Sequence, residues 1–254
     1  MRSQLFTARL ALFLLALACL TALAAVGGVR ASLMPFPSGF TIMIAATALG
    51  LLALVTALAW LFSALKHNHG AGKRMGLTAL VGSLFLLSPP LHTEWRGLTS
   101  PAIHDATTDP EDPPQFAALA KLRRPGMNSP IYDGSEQITF RGETNTANYM
   151  LHTFYRESLT QPRGRLLTTK PKLFWHAFET VKKMGWPIVD YSEKDGRIEA
   201  TGQSFWFGQT ADIVIRVREA GPEGARLDAR SQSETGTRDF GSNIARLEAF
   251  LKAL

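Results

Sequence analysis

In this chain of 254 residues with a formal charge of +6, the placement of the charge excludes more than its size does. The first 100 residues hold seven Lys/Arg and one acid, so the whole excess lies among long apolar runs, and the remainder is balanced at 20 basic and 20 acidic residues. A basic groove for nucleic acid is thereby excluded. A single cysteine, Cys19, excludes an internal disulfide and a Cys/His zinc framework.

Three apolar runs come first. Residues 10–29 carry no charge and are long enough to cross a bilayer, residues 41–65 form a longer run, and residues 75–91 sit near the lower limit of about 17 residues. Pro89-Pro90 is expected to end the third helix. Arg2 and Arg9 lie at the start of the chain, and Lys66, Lys73 and Arg74 lie between the second and third runs. The loop between the first and second runs holds Arg30 alone. Positive flanks stay in the cytoplasm. The pattern therefore predicts a cytoplasmic N-terminus, three crossings of a bacterial inner membrane, and a periplasmic location for everything after residue 91. Trp60 suits the inner interface and Trp95 the outer one. The string ALAC at 16–19 resembles a lipoprotein cleavage box with Ala16 where Leu is usual, and Cys19 is expected to be a structural residue of the span. Ala24 with Gly28 and Ala46 with Gly50 have the four-residue spacing that lets helices approach closely. His67 and His69 have no third ligand nearby and are expected to be turn residues rather than a metal site.

Residues 1–92 thus form an anchor, 93–112 a rigid linker and 113–254 a separate domain. The linker string IHDATTDPEDPPQF has four acids but no glycine for a calcium loop. Asp112 before Pro113 predicts a helix cap, and Asp109 before Pro110 a turn. His104 and Asp105 stand where a partner outside the membrane would meet the chain. A helix is predicted over QFAALAKLRR and an irregular stretch over 127–146. A second helix is predicted over KPKLFWHAFETVKKMGW, with Leu173, Phe174, Ala177, Phe178 and Val181 on one face and His176 off it. Asp195-Gly196 predicts a two-residue hairpin turn that pairs Lys194 with Arg197, Tyr191 with Ala200 and Val189 with Gly202. In ADIVIRVRE, Ile213, Ile215 and Val217 alternate with Asp212, Val214, Arg216 and Arg218. In ARLDARSQS, Leu227 and Ala229 alternate with Asp228 and Arg230, and a hairpin sets Arg216 opposite Asp228. A terminal helix over RDFGSNIARLEAFLKAL has Asp239 or Ser242 as its cap. The predicted domain is a two-layer α+β fold: about four antiparallel strands, helices on one face, and a charged, solvated face opposite.

The strings ATTDPEDPPQF, GRIEATGQSFWFG, ADIVIRV and DARSQSETGTRDFGSNIARLEAFL resemble the domain of unknown function 1499 family over roughly residues 100–254. The resemblance implies membrane helices ahead of the domain. It also implies Asp109, Pro113, Pro114, Asp212, Arg216, Arg230, Ser231, Ser233, Gly236, Asp239, Gly241, Asn243 and Arg246 as signature positions. The chain departs from the pattern at Ala211, where an acid is common, at Glu234, where Arg is common, and at Tyr155-Arg156-Glu157, where Tyr-Pro-Asp is common. No activity comes with the family.

No nucleophile elbow, P-loop, dinucleotide fingerprint or zinc-protease motif is present, and no cofactor or metal is expected. The polar constellation is Asp212, Arg216, Asp228, Arg230, Ser231, Asp239, Asn243 and Arg246, a candidate ligand or partner patch in which Arg would take an anion and Asp and Asn orient it. The competing expectation for it is an ion-pair lattice on a solvated face. Three functions fit: a domain that binds a protein partner or envelope component without catalysis, an accessory subunit of a membrane complex, and a hydrolase using Asp and Arg. A deep pocket holding Asp212 or Asp239 with a raised pKa would favour the last. The expected partners are the lipid bilayer and a membrane or periplasmic protein.

Overall fold

A computed structural model describes residues 2–254 apart from 68–70, 102, 160–167, 222–223, 238 and 240, and leaves out the side chains of 67, 92–98 and 156–158. The turn histidines and the interfacial Trp95 fall outside the described residues and side chains. The chain forms two compact units, Met1–Trp95 with Trp206–Gly208, and Arg96–Phe205 with Gln209–Leu254.

The first unit is built on α1 (Arg2–Arg30), α2 (Phe36–His67) and α3 (Lys73–Thr99). All three are long and apolar enough to cross a membrane, which makes this a membrane protein. Their seam is made of small residues, with Ala8, Ala11, Ala18 and Ala25 buried on α1 and Ala46, Ala53 and Ala57 on α2. Small side chains let helix backbones approach where lipid offers no hydrophobic drive. A polar bridge crosses the seam: Gln4 Nε2 donates to the Ser63 carbonyl at 3.1 Å and hydroxyl at 3.2 Å. Trp60 is buried, its indole N–H donating to the Ala71 carbonyl at 3.0 Å. Its ring lies so close over Gly76 that a Cβ there would come within 2.3 Å.

Pro89-Pro90 does not end the third helix; α3 runs through both prolines to Thr99. Pro89 has no N–H for the Phe85 carbonyl four residues back, and the Ser88 hydroxyl donates to that carbonyl instead, at 2.8 Å. Side-chain rescue of this kind is how membrane helices tolerate proline.

The second unit contains β1 (Asp105–Thr107), α4 (Ala118–Lys121), β2 (Gln137–Phe140), β3 (Glu143–Thr146), α5 (Ala147–Leu159), α6 (Lys170–Lys183), β4 (Ile188–Ser192), β5 (Arg197–Gln203), β6 (Thr210–Glu219), β7 (Ala225–Ser233) and α7 (Ser242–Ala253). The main sheet has five strands in the order β1-β7-β6-β5-β4, all pairs antiparallel. Its fifth strand comes from the stretch expected to be a linker. Period-2 alternation sends Ile198, Ala200, Ile213, Ile215, Val217, Leu227 and Ala229 to one face. There they join Leu173, Phe174, Ala177 and Val181 of α6, Met150 and Leu151 of α5, and Ile244, Leu247 and Phe250 of α7 in one core. The α+β architecture is as the sequence predicts, and Arg216 does stand opposite Asp228.

Four local expectations are corrected. The opposite face of the sheet is covered, not solvated: the segment that follows β1, through α4, lies over it, and Phe116 and Leu119 pack on Val214. The hairpin between β4 and β5 turns through four residues, since Ser192 pairs with Arg197 and Tyr191 with Ile198. The register shift between Ile188 and Asp190 leaves Val189 as the extra residue, 40% exposed. Residues 127–146 are not wholly irregular: β2 and β3 form a hairpin closed by Arg141 and Gly142 at φ 53° and 85°, both positive as a tight primed turn requires, and α5 follows directly. Finally, the helix expected after Asp112 shrinks to the single turn α4, and Asp112 does not cap it.

Candidate functional site

The eight candidate residues fall into four groups, all in the second unit, and the five on β6 and β7 are placed by strand parity. Even-numbered residues of β6 and β7 point under the covering segment; odd-numbered residues point toward α7.

Arg216 and Asp228 belong to the first group, together with Arg218, Arg226, Asp109 and Asp112. Asp228 is fully buried, and its carboxylate accepts from Arg216 at 3.2 Å, Arg218 at 2.9 Å and Arg226 at 3.0 Å. The covering segment supplies the remaining acids: Asp109 accepts from Arg226 at 2.6 Å, and Asp112 pairs with Arg216 and Arg218. The hydrogen bond from Arg218 is the main cause holding the Asp112 carboxyl below its usual range. Three guanidinium groups face three carboxylates, so the lattice is neutral and internally matched.

Arg230 forms the second group and is fully buried. Its Nε and Nη2 grip both oxygens of Asp105 at 2.9 and 2.6 Å, and its guanidinium lies between the rings of Phe116 and Tyr132, 4.7 and 5.3 Å from their centroids. Gln232 adds a hydrogen bond to Asp105 at 3.0 Å. Asp212, the third group, is sealed beside Arg123 at 3.0 Å. Burial pushes its carboxyl up to about 6; Arg123 opposes the shift and neighbouring Glu234 reinforces it.

Ser231, Asp239, Asn243 and Arg246 form the fourth group, around the start of α7. Asp239 accepts from the backbone N–H groups of Gly241 and Asn243 at 2.8 and 2.7 Å, closing the turn that leads into the helix, but the cap position itself is Gly241, not Asp239 or Ser242. Burial raises the Asp239 pKa against those two donors. Arg246 Nη1 donates to the Ser231 hydroxyl at 3.0 Å and to Asn243 Oδ1 at 2.7 Å. Asn243 Nδ2 donates in turn to the His104 carbonyl at 3.0 Å. Arg246 reaches this place over Gly202, where a Cβ would lie 2.8 Å from its Nε. The structure therefore unites Ser231, Asp239, Asn243 and Arg246, unites Arg216 with Asp228, and keeps Asp212 and Arg230 apart from both.

Two features escaped the sequence. Glu199 is fully buried in β5, and its carboxylate accepts from the backbone N–H groups of Ala117, Ala118 and Leu119 at 2.8, 3.1 and 2.8 Å. It does for α4 what Asp112 was expected to do, and Arg197 balances its charge at 2.8 Å. The second feature is an open cavity of about 270 Å³ whose lining includes Ile103, His104, Asp105, Tyr132, Asp133 and Glu136. His104 Nδ1 is buried there, among the described residues without a hydrogen-bond partner, 3.6 Å from the partly exposed carboxylate of Glu136. Arg230 underlies the cavity through Asp105. Burial and the Asp105 charge raise the Tyr132 pKa, so its phenol stays neutral and donates to Asn148 Oδ1 at 2.7 Å. Neither Asp212 nor Asp239 lines the cavity. The sequence signal for it was the acidic run flanking His104; Glu136 lies some thirty residues away and gave none.

The sequence profile of DUF1499, described as a protein of unknown function, matches residues 105–254. No curated protein matches the chain. The match starts at the first residue of β1 and runs to the last residue of the chain, and the chain belongs to the DUF1499 family.

Proposed function

We propose that this protein is a non-catalytic binding protein of the bacterial inner membrane, anchored by three crossings with its N-terminus in the cytoplasm and its α+β domain in the periplasm. The cavity at His104 and Glu136 receives a protein segment or another envelope component. One observation carries this assignment. The charged candidates of the sheet are each paired with an opposite charge of the domain, whereas the cavity combines an opening with an imidazole nitrogen and a carboxylate that have room for a guest. Polar groups converging in a partly apolar cavity are the default sign of a binding site. The orientation rests on Lys66, Lys73 and Arg74 between α2 and α3, against Arg30 alone between α1 and α2.

Affinity purification from gently solubilised membranes tests the assignment. A co-purifying species should be retained by Arg216→Ala and lost with Glu136→Gln or His104→Ala. Recovery of the same species with all three variants, or of the protein alone from wild type, would remove the cavity from consideration as a binding site.

A further inference from the structure

Two carboxylates of the cavity at His104 stand without a basic counterion. Of the three acids that line it, Asp105 is neutralised from below, because its oxygens accept from Arg230 and Gln232. Asp133 and Glu136 have no Lys or Arg partner among the described residues, and no Lys or Arg is among the described residues of the lining. The turn that carries both acids is tied to the start of α5: Asn148 N–H donates to the Gly134 carbonyl at 3.1 Å and Ala147 N–H to the Glu136 carbonyl at 2.9 Å. The Ser135 hydroxyl and N–H donate to Asp133 Oδ1 at 2.6 and 2.9 Å and hold that carboxyl below its ordinary range. The rest of the wall is partly apolar, with buried Ile103 and Ala147 and with Ile131, 74% exposed.

We propose that the cavity takes a primary ammonium group on a short apolar stem, either a lysine side chain of a partner segment or a free alkylamine. The inference rests on the cavity being the binding site assigned to it under the proposed function. Charge selects the guest. An anion would enter against two carboxylates, whereas a cation gains charge-assisted hydrogen bonds. Geometry selects its kind. Glu136 Oε2 and His104 Nδ1 are 3.6 Å apart, and a single nitrogen about 2.9 Å from each spans that separation. An ammonium carries three donors, enough for both, and a neutral imidazole accepts at its unprotonated nitrogen. Size limits the stem: about 270 Å³ lies below the roughly 300–1,000 Å³ of sites for drug-sized ligands, and suits one side-chain-sized group.

Saturation-transfer NMR on the full-length chain in uncharged dodecyl maltoside micelles, with empty micelles subtracted, tests it. The probes are n-butylammonium, n-butanol and butyrate, which share one stem and differ in the charge of the head. Butylammonium should bind wild type, and Glu136→Gln, which keeps the shape and removes the charge, should weaken it at least about tenfold. Butanol or butyrate binding as well as butylammonium overturns the ammonium while leaving the cavity as a site. Equal butylammonium binding by wild type and Glu136→Gln puts the amine elsewhere and also overturns it. So does transfer from none of the three, and the cavity itself then stands or falls on the co-purification. A capped Ala-Lys-Ala peptide separates the two sources: tighter binding than butylammonium marks a partner lysine, equal or weaker binding a free amine, and both keep the ammonium.

Discussion

Arg230 illustrates what a fully buried charge requires. It has both oxygens of Asp105, the carbonyls of Pro114 and Pro130 at 3.3 and 3.0 Å, and two aromatic faces. Removing one member of such a pair strands the other, at a cost of about 3–5 kcal/mol. Asp105→Ala should therefore lower the unfolding free energy of the detergent-solubilised chain by that amount, while Asp105→Leu with Arg230→Met should cost less than either single change; an additive double variant would show that the pair is not coupled. Asp212 makes a different prediction. Burial raises its folded pKa to about 6 from an ordinary 3.8. Between those values the folded state holds a proton that the unfolded state has lost. Its contribution is thus most favourable below about pH 4 and is lost as the pH rises to about 6, by roughly 3 kcal/mol over some two pK units. The stability of wild type relative to Asp212→Asn should fall across that window; a flat difference would mean that the carboxyl stays charged when folded.

Among the elements, α4 depends most on distant residues. A single helical turn cannot hold itself, and its first N–H groups all point at Glu199, some eighty residues later in the chain. Glu199→Ala leaves three backbone donors without their acceptor, that of Leu119 buried, and should cost about 1–3 kcal/mol, with hydrogen exchange rising first at Ala117–Leu119 if α4 detaches alone. The β4–β5 turn makes the complementary test. Gly196 has φ 66°, and a Cβ there would lie 2.0 Å from the Val217 carbonyl oxygen, which is backbone and cannot yield; Gly196→Ala should destabilise by about 2 kcal/mol or more, and a neutral effect in thermal melts would show that the turn shifts. The sequence revealed those elements whose signal is local. The alternation in β6 and β7, the apolar stripe of α6 and the Asp239 turn before α7 all lie within a few residues. It did not reveal the covered face, because Asp228, Arg230 and Glu199 look alike on paper whether water or another segment meets them. The one hint was Val214, an apolar residue on the charged side of β6, which packs on Phe116 and Leu119. The two-residue turn was misjudged for a related reason: Asp195-Gly196 suits a short hairpin, but the Ser192 hydroxyl bonds the Asp195 carboxylate at 2.7 Å and widens the turn.

For the molecule as a whole, the membrane anchor was the most legible part, since length and hydropathy decide it. Of the candidate site, the sequence supplied the residues but not their grouping, which depends on long-range pairing. The proposed topology predicts that a reporter active only outside the cytoplasm works when fused after Leu254, and that a cytoplasmic reporter at the same place does not; the reverse pattern would invert the orientation. The covered face also has a consequence for biosynthesis. Asp105 leaves the membrane anchor early, yet its hydrogen-bond partner Gln232 lies 127 residues downstream. At translation rates of about 5–20 residues per second, the first strand waits roughly 6–25 seconds for β7 to arrive. Phe116 and Leu119 have nothing to close on until Val214 arrives with β6, and Asp105 and Asp109 lack Arg230 and Arg226 until β7 follows, so a chain truncated before β7 should be a substrate for proteases and chaperones rather than a smaller folded domain.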